Sequence, residues 1–212
     1  MRIDFVSDVT CPWCAIGLAA LESAIGRLAG EVEVALHLQP FELNPGMPPQ
    51  GEDLVQYIGR KYGATAEEVA ERQSLIRGRG AELGFAFGAR TRVYNTFDAH
   101  RLLHWAGLEG RALPLKRALL AAYHKRGENP GAPEVLLRAA AEAGLEVERA
   151  RAVVGSDAYA ADVRERIGHW QQLGIHSVPS VIVDGRHLIQ GGQPVEVFEQ
   201  ALRRIAASRI AA

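Results

Sequence analysis

The spacing of hydrophobic residues changes from a strand period to a helical period early in the chain. Apolar and polar residues alternate in residues 2–7 and 32–39, which predicts two short strands. Between them, residues 12–29 carry apolar side chains near helical spacing, and Gly30 follows as a stop. Because parallel strands need a long crossover connection, this opening predicts a parallel β-α-β unit.

The middle of the chain is predicted to be helical, and its end returns to strands. The helical runs, rich in Ala, Leu, Glu and Arg, are residues 52–62, 65–83, 96–106, 113–125, 133–143, 146–154 and 157–173. Residues 180–183 and 186–190 predict a hairpin around Asp184-Gly185, and residues 194–207 predict a final helix. The pattern therefore predicts an α/β core of residues 1–46 and 175–212, interrupted by a helical insertion at 47–174.

Composition narrows the class of protein. The 212 residues are enough to bury a full core, and the formal net charge of −1 removes a bulk electrostatic case for nucleic acid or a membrane surface as partner. No run approaches the roughly 18 apolar residues of a membrane span, and the first residues do not resemble a secretory signal peptide. Together with the initiator Met1, this leads us to expect a cytoplasmic protein, while a periplasmic form that has already lost its signal peptide stays open. The two cysteines are too few for a disulfide-stapled scaffold.

Both cysteines fall in one motif, Cys11-Pro12-Trp13-Cys14, where the first predicted strand gives way to the first predicted helix. Unpaired N–H groups at a helix start stabilise a thiolate, and Pro12 suits the first helical position because it has no N–H. We expect Cys11 to be the exposed, attacking thiolate. Cys14, one turn further in, should be more buried, have the higher pKa and act as the resolving thiol.

Two other interpretations of the cysteine pair remain open. A zinc site would need two further ligands, and His100 and His104, although spaced for one helix face, lie far along the chain. The two thiols could also be buried and inert. The position of the pair at a predicted helix start favours redox chemistry over both.

Five segments of the chain match, in order, the motifs of a known family. They are FVSDVTCPWCAIG at residues 5–17, PFELNP at 40–45, NTFDAHR at 95–101, Val178-Pro179 and Gly191-Gly192-Gln193-Pro194. The ordered set resembles the DsbA-like thioredoxin-fold proteins, and is most similar to their FrnE-like branch, which is related to kappa-class glutathione transferases and 2-hydroxychromene-2-carboxylate isomerases. The resemblance implies a thioredoxin-like fold with a large all-helical insertion between an N-terminal βαβ part and a C-terminal ββα part.

The resemblance also implies roles around the dithiol. Pro12 and Trp13 would support the reactive pair, and Trp13 would present an exposed apolar surface to substrates. Val178-Pro179 would be a cis peptide beside the dithiol, where the backbone of Val178 could pair with an extended substrate segment. The residues alone leave a cis and a trans proline equally open.

Four further residues are candidates for a substrate groove: Asn44, Asn95, His100 and His176. Asn44 matches a position that binds glutathione in the related families. A helix cap at Asn95, a half-buried His100 and a solvated loop histidine at His176 are the alternatives, and the sequence does not separate them from a groove role.

The resemblance implies a DsbA-like protein disulfide oxidoreductase that exchanges disulfides with protein or small-thiol substrates through Cys11. It implies no metal and no tightly bound cofactor beyond the redox-active Cys11–Cys14 disulfide, with glutathione as an optional co-substrate. No third cysteine exists to relay electrons, so an external thiol system would reset the pair. The sequence leaves open the direction of electron flow and whether the chain is a monomer or a homodimer.

The alternative function is a glutathione-dependent transferase or isomerase that acts on a small aromatic compound. Relatives of that kind carry serine at the position of Cys11 and an acidic residue near Gly192-Gln193, and this chain departs from both.

Trp13 stands where the strongly oxidising periplasmic DsbA has histidine. The resemblance therefore implies that this protein is a weaker oxidant than that DsbA.

Overall fold

The computed structural model describes residues 1–210, which form a mixed α/β fold. The elements in chain order are β1 (Arg2–Ser7), α1 (Pro12–Arg27), β2 (Ala35–Pro40), β3 (Glu52–Asp53), α2 (Leu54–Tyr62), α3 (Ala66–Glu82), β4 (Arg92–Val93), α4 (Phe97–Leu108), α5 (Ala112–His124), α6 (Pro133–Glu142), α7 (Val147–Val154), α8 (Ala160–Gln172), β5 (Ser180–Val183), β6 (His187–Gln190) and α9 (Val195–Ile210). The predicted α/β core with a helical insertion is confirmed. None of the helices in this part of the chain has the length and apolar character needed to cross a membrane.

The central sheet has four strands in the order β2-β1-β5-β6. β1 and β2 are parallel, with Arg2 opposite Ala35, as the long crossover through α1 predicted. β5 runs antiparallel to β1, and β6 runs antiparallel to β5. The predicted hairpin is confirmed: Asp184 and Gly185 both have positive φ, 51° and 67°, as a type I′ turn requires.

Successive side chains of β1 point to opposite faces of the sheet, and each face is covered by helices. Ile3 and Phe5 are fully buried against α1 and α9. Val6, on the other face, packs against Trp170 of α8. Since β1 is buried on both faces, the loop that follows it leaves the sheet from a rigid base.

Helices α4 to α7 build a second hydrophobic core around Leu102, Trp105 and Leu119. Val9, in the loop after β1, belongs to this second core. The cysteine loop is therefore anchored to the sheet at one end and to the inserted helices at the other. The division of the chain into separate domains at residues 47 and 174 stays a prediction.

Three of the element boundaries that differ from the predicted ones have a specific cause in the structure. Residues 52–53 were predicted as helix but pair with Arg92–Val93 in a two-residue ladder. β2 begins at residue 35 because the N–H groups of Glu31 and Val32 bond to the Leu28 carbonyl in a turn. α8 begins at residue 160 because Tyr159 has φ 62°, in the left-handed region. A ladder with a distant segment, a turn and a left-handed residue set these three boundaries, and hydrophobic spacing does not reveal any of them.

Candidate functional site

Cys11 is the N-cap of α1, and its sulfur lies at the N-terminus of that helix. The Cys11 backbone is extended (φ −80°, ψ 114°), and Pro12 begins the helix. The N–H of Cys14 donates to Cys11 Sγ over 3.3 Å, and the Cys11 thiol donates to the Val178 carbonyl over 3.7 Å. A backbone donor and the positive end of the helix dipole therefore face this sulfur.

The expectation that Cys11 is exposed is wrong, because only 3% of its surface is accessible. The Val178 loop stands over the sulfur, and Thr10 and Trp13 flank it in the wall of a cleft. A cysteine at a helix tip would be open in isolation, but here residues from the far end of the chain cover it. A substrate reaches Cys11 through the cleft rather than from an open surface.

Cys14 is fully buried, as expected for the inner cysteine of the pair. Burial, followed by the hydrogen bond and charge of Cys11, raises the pKa of Cys14 well above its usual value, which confirms the predicted direction. The Lys116 ammonium acts in the opposite direction. Both cysteines are free thiols in this structure. Within residues 1–210 no three His, Cys, Asp or Glu side chains come together as metal ligands would.

The Val178–Pro179 peptide is cis, as the resemblance implied. Pro179 packs tightly against α1: a Cβ added to Gly17 would meet Pro179 Cγ at 3.0 Å. A Cβ on Gly192 would meet the Trp13 carbonyl oxygen at 2.9 Å. Glycine at both positions therefore lets the cis loop and the segment before α9 approach the first turns of α1.

A cleft of about 450 Å³ lies beside Cys11, bounded by the cysteine loop, α2, α3 and the Val178 loop. Much of its lining is apolar and includes Leu54, Ile58, Val69, Leu75, Ile76 and Val178. Three cations, Lys61, Arg72 and Arg90, also line it, whereas no carboxylate is among its lining residues. Trp13 lines the cleft and is 36% exposed, which confirms the expected apolar surface at the site.

Two of the four groove candidates, Asn44 and His176, line this cleft. The side-chain oxygen of Asn44 accepts hydrogen bonds from the Tyr57 hydroxyl and from the Lys61 ammonium, the latter over 2.9 Å. Both donors belong to α2, so this helix holds the Asn44 side chain in the cleft wall. The Asn44 amide nitrogen is the part of the side chain left for a ligand.

The prediction that Asn95 and His100 line the groove is wrong. Asn95 Oδ1 accepts from the Phe97 N–H over 2.9 Å, its Nδ2 donates to the Pro45 carbonyl, and the residue faces a separate cavity. His100 is 2% exposed, rather than half-buried, and its Nε2 lies 3.6 Å from Asp8 Oδ1. α4 turns its apolar face into the second core, which carries His100 away from the cleft, while the bonds to Pro45 and Phe97 hold Asn95 away from it.

A group of buried polar side chains lies behind the cysteine loop: Asp8, His100, Lys116 and His124. Burial alone would raise the pKa of Asp8, but the hydrogen bond and charge of His100 and the Leu43 amide, 2.7 Å away, lower it below its usual value. Burial lowers the pKa of Lys116, and it lowers that of His124 well below its usual value. The charge of Lys116 interacts with both cysteines and with Asp8, so this group contributes to the electrostatics of the dithiol.

The sequence analysis missed Lys116 and His124. Both lie on α5 with Leu120 midway between them, at a spacing of four residues that puts all three on one helix face. All three are buried. A lysine and a histidine on an otherwise apolar helix face were the available signal, since such groups are seldom buried without a role.

Comparisons with known proteins identify the family of this chain and solved structures with a similar fold. The family model for the DSBA-like thioredoxin domain matches residues 2–203. A "probable DsbA oxidoreductase" from Streptomyces coelicolor is 34% identical, with a TM-score of 0.91 over 98% of this chain and 90% of that one. A 2-hydroxychromene-2-carboxylate isomerase is 14% identical, with a TM-score of 0.74 over 100% of this chain and 98% of that one.

A third solved structure has the same fold. The cytosolic disulfide reductase DsbM from Pseudomonas aeruginosa, solved with GSH, is 19% identical, with a TM-score of 0.66 over 96% of this chain and 98% of that one. At this level of identity, the likenesses to DsbM and to the isomerase concern the fold alone. Membership of the FrnE-like branch stays a prediction.

Proposed function

The chain belongs to the family of DSBA-like thioredoxin domains, and we propose that it is a thiol–disulfide oxidoreductase that works through Cys11 and Cys14. The observation that carries the proposal is the asymmetry of the two sulfurs. Cys11 Sγ lies at a helix N-terminus and in the wall of a cleft, whereas Cys14 is fully buried with a raised pKa. Cys11 is therefore available to a substrate in the cleft, and Cys14 is placed to act as the resolving thiol.

In the proposed reaction, the Cys11 thiolate attacks one sulfur of a substrate disulfide. A bond forms between Cys11 Sγ and that sulfur, and the other substrate sulfur leaves as a thiolate that takes up a proton. Cys14 then loses its proton and attacks Cys11 Sγ, which releases the second substrate thiol. The substrate gains two electrons, and the protein is left with a Cys11–Cys14 disulfide. An external thiol system, with glutathione as the candidate co-substrate, reverses the oxidation.

The cleft indicates the kind of substrate that fits. Its apolar lining and its cations, Lys61, Arg72 and Arg90, favour a disulfide flanked by apolar groups and by a carboxylate. Both an extended protein segment and a small thiol peptide such as glutathione meet this description. The Val178 carbonyl, already bonded to the Cys11 thiol, offers a backbone acceptor to a substrate N–H once Cys11 is engaged.

The second cysteine gives the decisive test. Cys14→Ser should accumulate a mixed disulfide at Cys11 when the protein is mixed with glutathione disulfide or a disulfide-bonded protein, as measured by mass spectrometry. Cys11→Ser, the matched control, should form none. Insulin reduction and oxidative refolding, assayed side by side, then give the direction of electron flow.

The alternative, a glutathione-dependent isomerase or transferase for a small aromatic compound, is supported by the size and apolar character of the same cleft. It does not require Cys14. Unchanged turnover by Cys14→Ser would therefore contradict the oxidoreductase proposal and favour the alternative.

Trp13→Ser should change the range of disulfide substrates more than it changes stability, because the Trp13 side chain is 36% exposed at the cleft. The measurement is the ratio of kcat/KM values for glutathione disulfide and a protein disulfide, alongside a urea unfolding curve. Loss of folding with an unchanged ratio would show that Trp13 serves the core instead.

A further inference from the structure

A second cavity, of about 490 Å³, lies against the edge strand β2 and shares no lining residue with the cleft beside Cys11. Its walls come from β2, α4 and α5, with Arg166 contributed by α8. The polar side chains that line it are mostly basic: Arg2, His37, His100, His104, Lys116 and Arg166. No Asp or Glu is among the lining residues. Burial lowers the pKa values of His100 and His104, so the positive charge of the cavity comes from Arg2, Lys116 and Arg166. Its volume is typical of a small-molecule site.

Among the residues that line this cavity, Lys116 is the cation whose charge is most buried and least compensated. It is 1% exposed, and its ammonium makes no hydrogen bond or salt bridge with the residues that the structure describes. Asp8 and the two cysteines attract this ammonium through their charges, but burial still outweighs them and lowers the pKa of Lys116. Because Lys116 lines the cavity, an anionic ligand placed there can accept the hydrogen bond that the described residues do not provide.

Of the two arginines that line the cavity, Arg166 rather than Arg2 can bind an anion. Arg2 is occupied, because its guanidinium donates to both carboxylate oxygens of Asp4 over 2.8 Å. Arg166 makes a 3.4 Å hydrogen bond to Gln39 and no salt bridge in the described part of the chain. The nearest carboxylates of α8, Asp162 and Glu165, line an adjoining cavity and not this one.

The rest of the lining is apolar and favours an organic ligand over a bare inorganic ion. Leu36 and Leu38 of β2 and Leu103 of α4 line the same cavity as the cations. The ligand that fits has an anionic head and an apolar body of about the size of an aromatic ring.

We propose that this cavity is a binding site for a small organic anion, whose carboxylate or phosphate group is held by Lys116 and Arg166 and whose apolar body packs against β2 and α4. The site is distinct from the cleft of the dithiol. Because the charge of Lys116 also acts on Cys14, an anion bound there is positioned to modulate the dithiol.

The test uses phenyl phosphate and benzoate as probes, with benzyl alcohol as the uncharged analogue. Histidine ring signals of the full chain are followed by NMR during each titration, since His100 and His104 line this cavity and His176 lines the cleft. Both anionic probes should shift the His100 and His104 signals in a saturable way, and benzyl alcohol should not. The tighter of the two identifies the preferred head group.

Two variants localise the binding. Arg166→Gln should weaken it by about tenfold or more, because it removes a charged hydrogen-bond donor. Arg164→Gln, on the same helix but lining a different cavity, should leave it unchanged. Absence of saturable shifts, shifts of His176 alone, or equal affinity in the Arg166 and Arg164 variants would each overturn the proposal.

Discussion

Replacement of Lys116 by methionine is expected to stabilise the folded protein at neutral pH. The lysine is 1% exposed, and its ammonium lacks a hydrogen-bond partner in residues 1–210. Methionine has a similar length, adapts its shape to the space and carries no charge to desolvate. The substitution therefore removes an unfavourable buried charge while keeping most of the packing of α5.

The magnitude follows from two opposing effects. Burial lowers the pKa of Lys116 even though Cys14, Asp8 and Cys11 all act to raise it, so desolvation outweighs the attractions. Apolar replacement of buried ionic groups is neutral or stabilising by up to ~4 kcal/mol in proteins generally. Asp8 loses a favourable charge interaction in this variant, so we expect a gain in the lower part of that range, about 1–2 kcal/mol.

The gain should depend on pH in a defined direction. The pKa of Lys116 is lower in the folded protein than its usual value of 10.5, so the unfolded chain binds this proton more tightly. The penalty is therefore fully present below the folded pKa and disappears as pH rises towards 10.5. The stability difference between Lys116→Met and the parent should be constant around neutral pH and close to zero at high pH.

The measurement is urea unfolding of the reduced proteins at several pH values between neutral and 10.5, in amine buffers with chloride as the anion. Lys125→Met is the matched control, because Lys125 is exposed at the end of α5 and lies 4.5 Å from the Phe85 ring centre. It should change stability by less than about 1 kcal/mol. A Lys116→Met variant that is less stable than the parent at neutral pH would refute the reasoning, since it would mean that Lys116 is already paired.

Three further predictions concern other contacts. Gly192→Ala should lose about 1–3 kcal/mol in urea unfolding, because its Cβ meets the Trp13 carbonyl oxygen at 2.9 Å; Gly107→Ala, with nothing within 4 Å, should not. Arg101→Met should lose roughly 3–5 kcal/mol, because this 4%-exposed guanidinium donates to three carbonyls at the end of α7 and in the turn before α8; a smaller loss would mean that water replaces it. Burial and then the Asp8 charge raise the pKa of Glu42 to about 7, so carboxyl NMR should find its midpoint there. The parent should lose stability relative to Glu42→Gln as pH rises from 4.5 to 7, and parallel stability curves would contradict this.

The largest difference between the sequence-based predictions and the tertiary structure concerns the residues of the substrate groove. Asn95 and His100 share a motif with α4, and the resemblance implied that this helix covers the site. The orientation of α4 depends on how its apolar face, with Leu102 and Trp105, packs into the second core. A sequence motif does not specify how α4 is oriented, so the two residues were predicted to line the wrong cavity.

The buried charges were also beyond the reach of the sequence alone. Lys116 lies more than 100 residues from Cys14 in the chain, and nothing in the local pattern of α5 brings the two together. Their interaction arises only when α5 packs behind the cysteine loop. The same packing creates the cavity along β2, because its walls come from four separate parts of the chain.

The sequence by itself determined the order of the helices and of the four strands of the central sheet along the chain, the parallel β-α-β opening, the hairpin at Asp184-Gly185 and the position of the dithiol at the start of α1. These features depend on hydrophobic spacing and on turn and cap residues, which act between neighbours in the chain. The tertiary structure decided the burial of Cys11, the walls of the cleft and the charges behind Cys14. These depend on contacts between distant segments, whose relative orientation is set by the packing of two cores and not by any local pattern.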